Sequence, residues 1–208
     1  KFTEAEFLLL LCGSGSNLAE IPRSFVIERN DLIANNYAKA FPEGSETNIA
    51  KKLREELLRY FENWQGFTVL DLGAMGGEYA QLLKSKANVL VGVEPSIKMA
   101  GIARARREGE MLVYNKVAAR FPEDYLRDTE ERYQVLLSIQ YLSNFATLDW
   151  FFKLARAVFV PEGGVFIFTI TPSDTQHNRF YAEKILFMHS EKYVDETLAA
   201  NGFRVHKK

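Results

Sequence analysis

The sequence predicts an α/β domain with a doubly wound, mostly parallel sheet, preceded by a helical N-terminal extension. Three observations predict it. From residue 66 onward, short apolar runs alternate with stretches of helical periodicity. Runs such as Val69-Leu70-Asp71-Leu72 and Val135-Leu136-Leu137 are apolar on both faces, as in parallel strands covered by helices on either side. The first of these strands runs into a glycine-rich turn, Gly73-Ala74-Met75-Gly76-Gly77. That is where such a sheet holds its ligands, beyond the carboxyl ends of the strands.

Composition narrows the class. The chain has 208 residues, 47% apolar and 25% charged, enough to bury a core without staples. Its single cysteine, Cys12, cannot close an intramolecular disulfide, so a reducing, cytoplasmic setting is expected. With 26 basic and 27 acidic residues, no global field draws in nucleic acid or an anionic membrane. The longest apolar run, residues 7–11, is too short to span a bilayer and follows acids rather than a basic leader. The chain opens at Lys1 without a methionine, which is expected of a fragment, a trimmed chain or a module cut from something longer.

Residues 1–65 are expected to form the helical extension, a lid, and residues 66–208 the ligand-binding domain. In the extension, residues 2–11, 24–40 and 47–63 show helical spacing, separated by a flexible loop at 12–17 and a Pro-Gly break at 41–44. The domain then alternates: strand 67–72, helix 77–86, strand 88–93, helix 96–108 and strand 111–114. A short helix is expected within 123–132, a strand at 133–139, a helix at 145–159 and a strand at 165–170. Residues 191–200 form a last helix, capped by Asn201-Gly202, and a sixth strand starts at 203–205, its usual partner missing.

The chemistry sits at two strand ends. The first strand ends in Asp71 before the glycine turn; the second, Val91-Gly92-Val93-Glu94, ends in Glu94, 23 residues later. An acid at that second position can accept two hydrogen bonds from a ribose diol. The dinucleotide fingerprint G-x-G-x-x-G fails here, because Met75 and Glu78 stand where it needs glycines. A carboxylate at Asp71 would also oppose a pyrophosphate. It suits a cationic ligand such as S-adenosylmethionine, which carries a sulfonium and an ammonium and no phosphate.

At these residues the chain resembles the class I S-adenosylmethionine-dependent methyltransferases. Their D-x-G-x-G-x-G pattern is similar to Asp71-x-Gly73-x-Met75-x-Gly77, and their acidic second-strand end to Val93-Glu94-Pro95-Ser96. Their A-x-x-L-P element resembles Ala118-Ala119-Arg120-Phe121-Pro122. The F-D-x-x-x-S segment is similar to Tyr133-Gln134-Val135-Leu136-Leu137-Ser138, and the L-K-P-G-G turn to Phe159-Val160-Pro161-Glu162-Gly163-Gly164. These elements fall in order across residues 66–171.

The resemblance implies a Rossmann-like methyltransferase fold with S-adenosyl-L-methionine as cofactor and no metal. It implies that Asp71 and the Gly73-Ala74 backbone hold the methionine end, that Gly77 opens the following helix, and that Glu94 holds the ribose hydroxyls. Pro95 and Ser96 would border the adenine, Val117 and Ala118 would meet its edge, and Ser138 would line the methionyl side. Departures are Met75 at the middle glycine and Gln134 at a common acid.

Catalytic candidates are His189, before the last helix, and Tyr141, after the fourth strand, either as a base for a hydroxyl acceptor. Ser138-Ile139-Gln140-Tyr141 is not the [DN]-P-P-[YF] motif of many base-amine methylating enzymes. The expected acceptor is a small molecule; Tyr37, Phe41 and Trp64 either form an apolar lid over it or, the favoured reading, simply pack in the core. Two alternatives stay open: a module acting on a tethered or protein substrate, and a degenerate scaffold without catalysis.

Overall fold

A computed structural model describes residues 18–37 and 48–208. Helix α1 (Arg23–Asn35) and helix α2 (Asn48–Tyr60) precede a central sheet of five parallel strands. The strands are β1 (Phe67–Leu72), β2 (Ala87–Val93), β5 (Lys116–Ala118), β6 (Val135–Ser138) and β7 (Val165–Phe168), in the order β5-β2-β1-β6-β7. Between them run α3 (Ile97–Ala105), α4 (Pro122–Asp128) and α5 (Asp149–Ala157). The order reverses between β1 and β6, so the topological switch point lies at the carboxyl end of β1.

Both faces of the sheet are buried along β1, β6 and the carboxyl half of β2, as their apolar runs require, whereas the edge strand β7 is half-buried. Leu70, Leu72, Val91, Val93 and Leu136 face α5 residues Phe151, Phe152 and Ala155. Val69, Leu90, Val135 and Leu137 face Phe61, Ala100 and Ala103. Adjacent residues of one strand thus serve opposite cores.

Several expected elements are shifted. In place of a helix at 77–86 there is one 3-10 turn, Ala80–Leu83. Gly77 is left-handed at φ 87°, which cannot open an α-helix, and the chain enters β2 soon afterwards. Gly77 therefore ends a turn and opens no helix.

The run at 111–114 does not form the third sheet strand. Met111–Leu112 (β4) pairs antiparallel with Arg107–Glu108 (β3) in an exposed ribbon, so α3 ends at Ala105. Val113 and Tyr114 then dive into the core, and the chain joins the sheet only at β5. Residues 145–148 are not helical; Phe145 bridges to Glu20, and α5 starts at Asp149. Phe203–Val205 finds no strand partner, because the Phe203 amide closes the preceding helix on the Leu198 carbonyl at 2.9 Å.

Residues beyond β7 form a small second sheet that the polar sequence did not signal. It comprises β8 (Thr171–Pro172), β9 (Arg179–Tyr181) and β10 (Leu186–His189), ordered β8-β10-β9. Helix α6 (Glu191–Ala200) follows with the expected bounds, N-capped by Ser190 accepting from the Tyr193 amide at 3.2 Å. An apolar groove of about 840 Å3 runs along the outer edge of β7, lined by Phe159, Phe166, Phe168 and Phe203. The expected features at 2–17 and 38–44, with Cys12 and Phe41, lie outside the described residues. Trp64 packs edge-on against Phe61 and Phe67 at the start of β1, so it is core at the end of the strand opposite the switch point. Among the described residues no helix is long and apolar enough to cross a membrane, and no cluster of histidines, cysteines and acids has metal-ligand spacing.

Candidate cofactor site

The site is built on the carboxyl ends of β1 and β2. Asp71, 2% exposed, lies opposite Gly92 in the β1–β2 register, and its Oδ2 accepts from the Tyr114 hydroxyl at 2.6 Å. Burial pushes the Asp71 carboxyl up to about 7; the Tyr114 bond opposes this, and the nearby acids Glu78 and Glu94 add to it. Asp71 is therefore a near-neutral-pH acid awaiting a positive neighbour.

The turn after Asp71 is held from β2. The amides of Gly73 and Ala74 both donate to the Val93 carbonyl, at 2.9 and 3.0 Å, so those N–H groups are committed within the fold. Gly73 is left-handed at φ 79°, and a Cβ there would lie 2.8 Å from the Tyr141 side chain. Gly77 faces the Tyr114 ring, 2.7 Å from where a Cβ would stand, and Gly76 faces the Tyr37 ring. Met75 adopts φ 48°, a left-handed backbone that suits the glycine expected there.

Glu94 is fully buried and carries three hydrogen bonds. Its Oε1 accepts from the Ser96 amide at 3.0 Å and the Asn30 Nδ2 at 2.9 Å; its Oε2 accepts from the Met75 amide at 3.1 Å. Burial raises its pKa, while the three donors and the Arg29 charge oppose that rise. Ser96 caps α3 by accepting from the Met99 amide at 3.0 Å and donates its hydroxyl to Asp31. Pro95 lies between them in the chain. Val117 and Ala118 end β5 beside Val93, with the Ala118 carbonyl accepting from the Glu94 amide at 3.0 Å. Ser138 ends β6, and its buried Oγ has no partner among the described residues.

The two catalytic candidates occupy different places. Tyr141 packs on Gly73, and its buried hydroxyl donates to Glu123 Oε2 at 2.7 Å; burial beside that carboxylate holds the phenol well above its ordinary pKa. His189 sits in the smaller sheet, fully buried, with Nε2 bonded to the Phe145 carbonyl at 2.9 Å and Nδ1 without a partner among the described residues. Burial lowers its pKa. The ring is thus neutral near pH 7, and with Nε2–H on the carbonyl its Nδ1 is a bare acceptor.

Sequence reasoning missed Tyr114, Asn30, Asp31 and Glu123. Asn30 did carry a signal: it lies one helical turn beyond Val26, and these are the two buried residues of α1.

Known proteins show the same architecture. Residues 45–208 match the model of a family described as a methyltransferase domain. The ubiquinone biosynthesis O-methyltransferase of Agrobacterium fabrum is 31% identical over 108 residues, 51% of this chain and 42% of that protein. The one of Rhizobium leguminosarum is 28% identical over 108 residues, so the chain spans about two-fifths of these relatives' length. The magnesium protoporphyrin IX methyltransferase of Synechocystis, solved with bound S-adenosylhomocysteine, superposes with TM-score 0.67 at 15% identity, covering 89% of this chain and 90% of that one. The [4+2]-cyclase SpnF superposes with TM-score 0.70 at 17% identity, over 93% and 76% of the two chains.

Switch-point carboxylates flanking a glycine turn are the arrangement of a class I S-adenosylmethionine-dependent methyltransferase. The chain belongs to the methyltransferase-domain family. Its residues suit that cofactor: a buried acid for a cationic end, a second acid for a diol, glycines where the backbone must lie close, and an orphaned Ser138 hydroxyl beside them.

Proposed function

We propose that this chain transfers a methyl group from S-adenosylmethionine to an oxygen or nitrogen of a small molecule. The observation that carries the reading is the pair Asp71 and Glu94, both buried, on neighbouring strand ends around one glycine turn. The likeness to an O-methyltransferase of ubiquinone biosynthesis and to a magnesium protoporphyrin IX methyltransferase supports a small acceptor, with oxygen favoured.

In this reading Asp71 binds the ammonium of the methionyl end and Glu94 the ribose hydroxyls. The Gly73-Ala74 turn and Gly77 keep the backbone close to the ligand. Pro95, Ser96, Val117 and Ala118 border the adenine, and the Ser138 hydroxyl takes a partner on the methionyl side. When bound, S-adenosylmethionine supplies a methyl on a sulfonium, already activated for transfer. The protein's work is then alignment and exclusion of water. Tyr141, anchored to Glu123, is a positioning residue for the turn at Gly73. His189 Nδ1 is the proton acceptor for a hydroxyl substrate. The protein is expected to work in the cytoplasm.

Calorimetric titration with S-adenosylhomocysteine, with NADH as control, tests the cofactor. Binding of the former alone, lost in Asp71→Ala and in Glu94→Ala, is the expected result; no binding by the intact chain sinks the reading. A second reading, a methyltransferase fold retained without methyl transfer, is favoured by Met75 in the left-handed conformation at the middle-glycine position. It predicts that Met75→Gly raises the affinity for S-adenosylhomocysteine.

A further inference from the structure

Helix α1 is fastened to α4, to the turn after β6 and to the end of β2 by polar groups along its length. Arg23 bonds Asp124 at 2.8 Å and Glu123 at 2.9 Å, Arg29 donates to Asn144 at 3.1 Å, Asn30 to Glu94 at 2.9 Å, and Asp31 accepts from Ser96. Its fully buried residues are Val26 and Asn30, whereas α5, shorter by four residues, buries Phe151, Phe152 and Ala155. Polar fastenings exchange readily for water or ligand, because each bond broken is remade elsewhere. The helix's apolar hold lies in its first half, where Phe25 and Val26 pack with Ile21 and Phe187, whereas its second half meets Glu94 and Ser96 through the polar side chains of Asn30 and Asp31.

Asn30 is the contact with a consequence. A carboxylate offers about four lone-pair directions. Three of those on Glu94 are taken, by the Ser96 and Met75 amides and by the Asn30 carboxamide. A vicinal diol needs two. The backbone amides belong to the fold of the strand ends, so Asn30 is the donor that must yield.

We propose that α1 is a self-ligating latch, in which the Asn30 carboxamide holds Glu94 in the place of a ribose hydroxyl and must be exchanged before the nucleoside is bound. The proposal rests on the cofactor reading above and assigns Asn30 a role in admitting the ligand. Arg29, half-buried on the same helix, brings its positive charge to Glu94. The latch therefore delivers both a donor and a counter-charge to the carboxylate it occupies. Only the fraction of molecules with the latch open is competent, and the apparent affinity falls by that fraction.

The test is the affinity and association rate of S-adenosylhomocysteine for the full chain and for Asn30→Ala. Loss of one hydrogen bond to a charged group in the free protein should tighten binding roughly tenfold, through faster association. In the free variant, amide hydrogen exchange should speed up across residues 23–35 and stay unchanged in β1 and β6. That exchange pattern also certifies that the variant is folded. Asn30→Asp, which places a second carboxylate against Glu94, should open the latch further and act in the same direction. Binding that is weaker or unchanged in both variants overturns the latch and makes Asn30 a lid contact or a bystander. If the unmodified chain itself fails to bind, the cofactor reading fails first, and the two failures are told apart.

Discussion

The Asp71 end and the Glu94 end of the site lie on adjacent strands, yet they are held by different parts of the molecule. Asp71 is satisfied from inside the α/β domain, by a Tyr114 whose ring fills the space over Gly77 and Gly92. Glu94 is satisfied partly from outside the sheet, by Asn30 of a helix that precedes it in the chain. One end is preorganised by packing, the other by a contact that exchanges. The Asp71 end should therefore set how tightly a ligand is held, and the Glu94 end how readily it enters.

Substitutions at the packed end should have the larger effects. Asp71→Asn keeps the volume and removes the charge, and should cost about a hundredfold in S-adenosylhomocysteine affinity, the value of one charge-assisted contact in a buried site. The same change should stabilise the free protein. The folded pKa of about 7 lies above the ordinary 3.8, so the folded state binds the extra proton between these values. Stability from this group is complete below about pH 4 and is lost as pH rises through about 7; a melting curve of Asp71→Asn should lack that decline. Binding of a cation next to Asp71 should release a proton near pH 7, read as a buffer-dependent heat in calorimetry.

Gly73→Ala comes next. It forces a Cβ into the Tyr141 side chain and a left-handed backbone onto alanine, and should lower unfolding free energy by about 2 kcal/mol in urea titration. Met75→Gly runs the other way, relieving the left-handed backbone for a gain of about 1 kcal/mol. A loss smaller than that of Gly73→Ala is expected at the exchangeable end. There Asn30→Ala should lower the melting temperature by about 3 °C while changing ligand association most. An equal stability loss for Asn30→Ala and Gly73→Ala would erase the contrast between the two ends.

Legibility in the sequence followed the same division. Strands β1, β2, β6 and β7 and the bounds of α6 were readable because apolar runs and the closing Asn201-Gly202 pair encode them locally. Asp71 and Glu94 were readable because strand ends and glycines mark their surroundings. The β3–β4 ribbon was hidden, since Met111-Leu112-Val113-Tyr114 divides between an exposed edge and the core, a choice made by tertiary packing. The β8-β10-β9 sheet was hidden because its strands are short and include Pro172. Tyr114 and Asn30 come from sequence-distant segments, and no spacing rule links position 30 to 94 or 114 to 71.

The clasp between the first two strands has a consequence for selectivity. Gly73 and Ala74 hang from one carbonyl, that of Val93, which immediately precedes Glu94. The separation of the two strand ends is thus fixed by backbone, as graduations are fixed on a ruler, and each carboxylate is held at its own end by hydrogen bonds, Asp71 to Tyr114 and Glu94 to the Ser96 and Met75 amides. A molecule whose amino group and sugar are joined by a longer or shorter tether would meet one acid and miss the other.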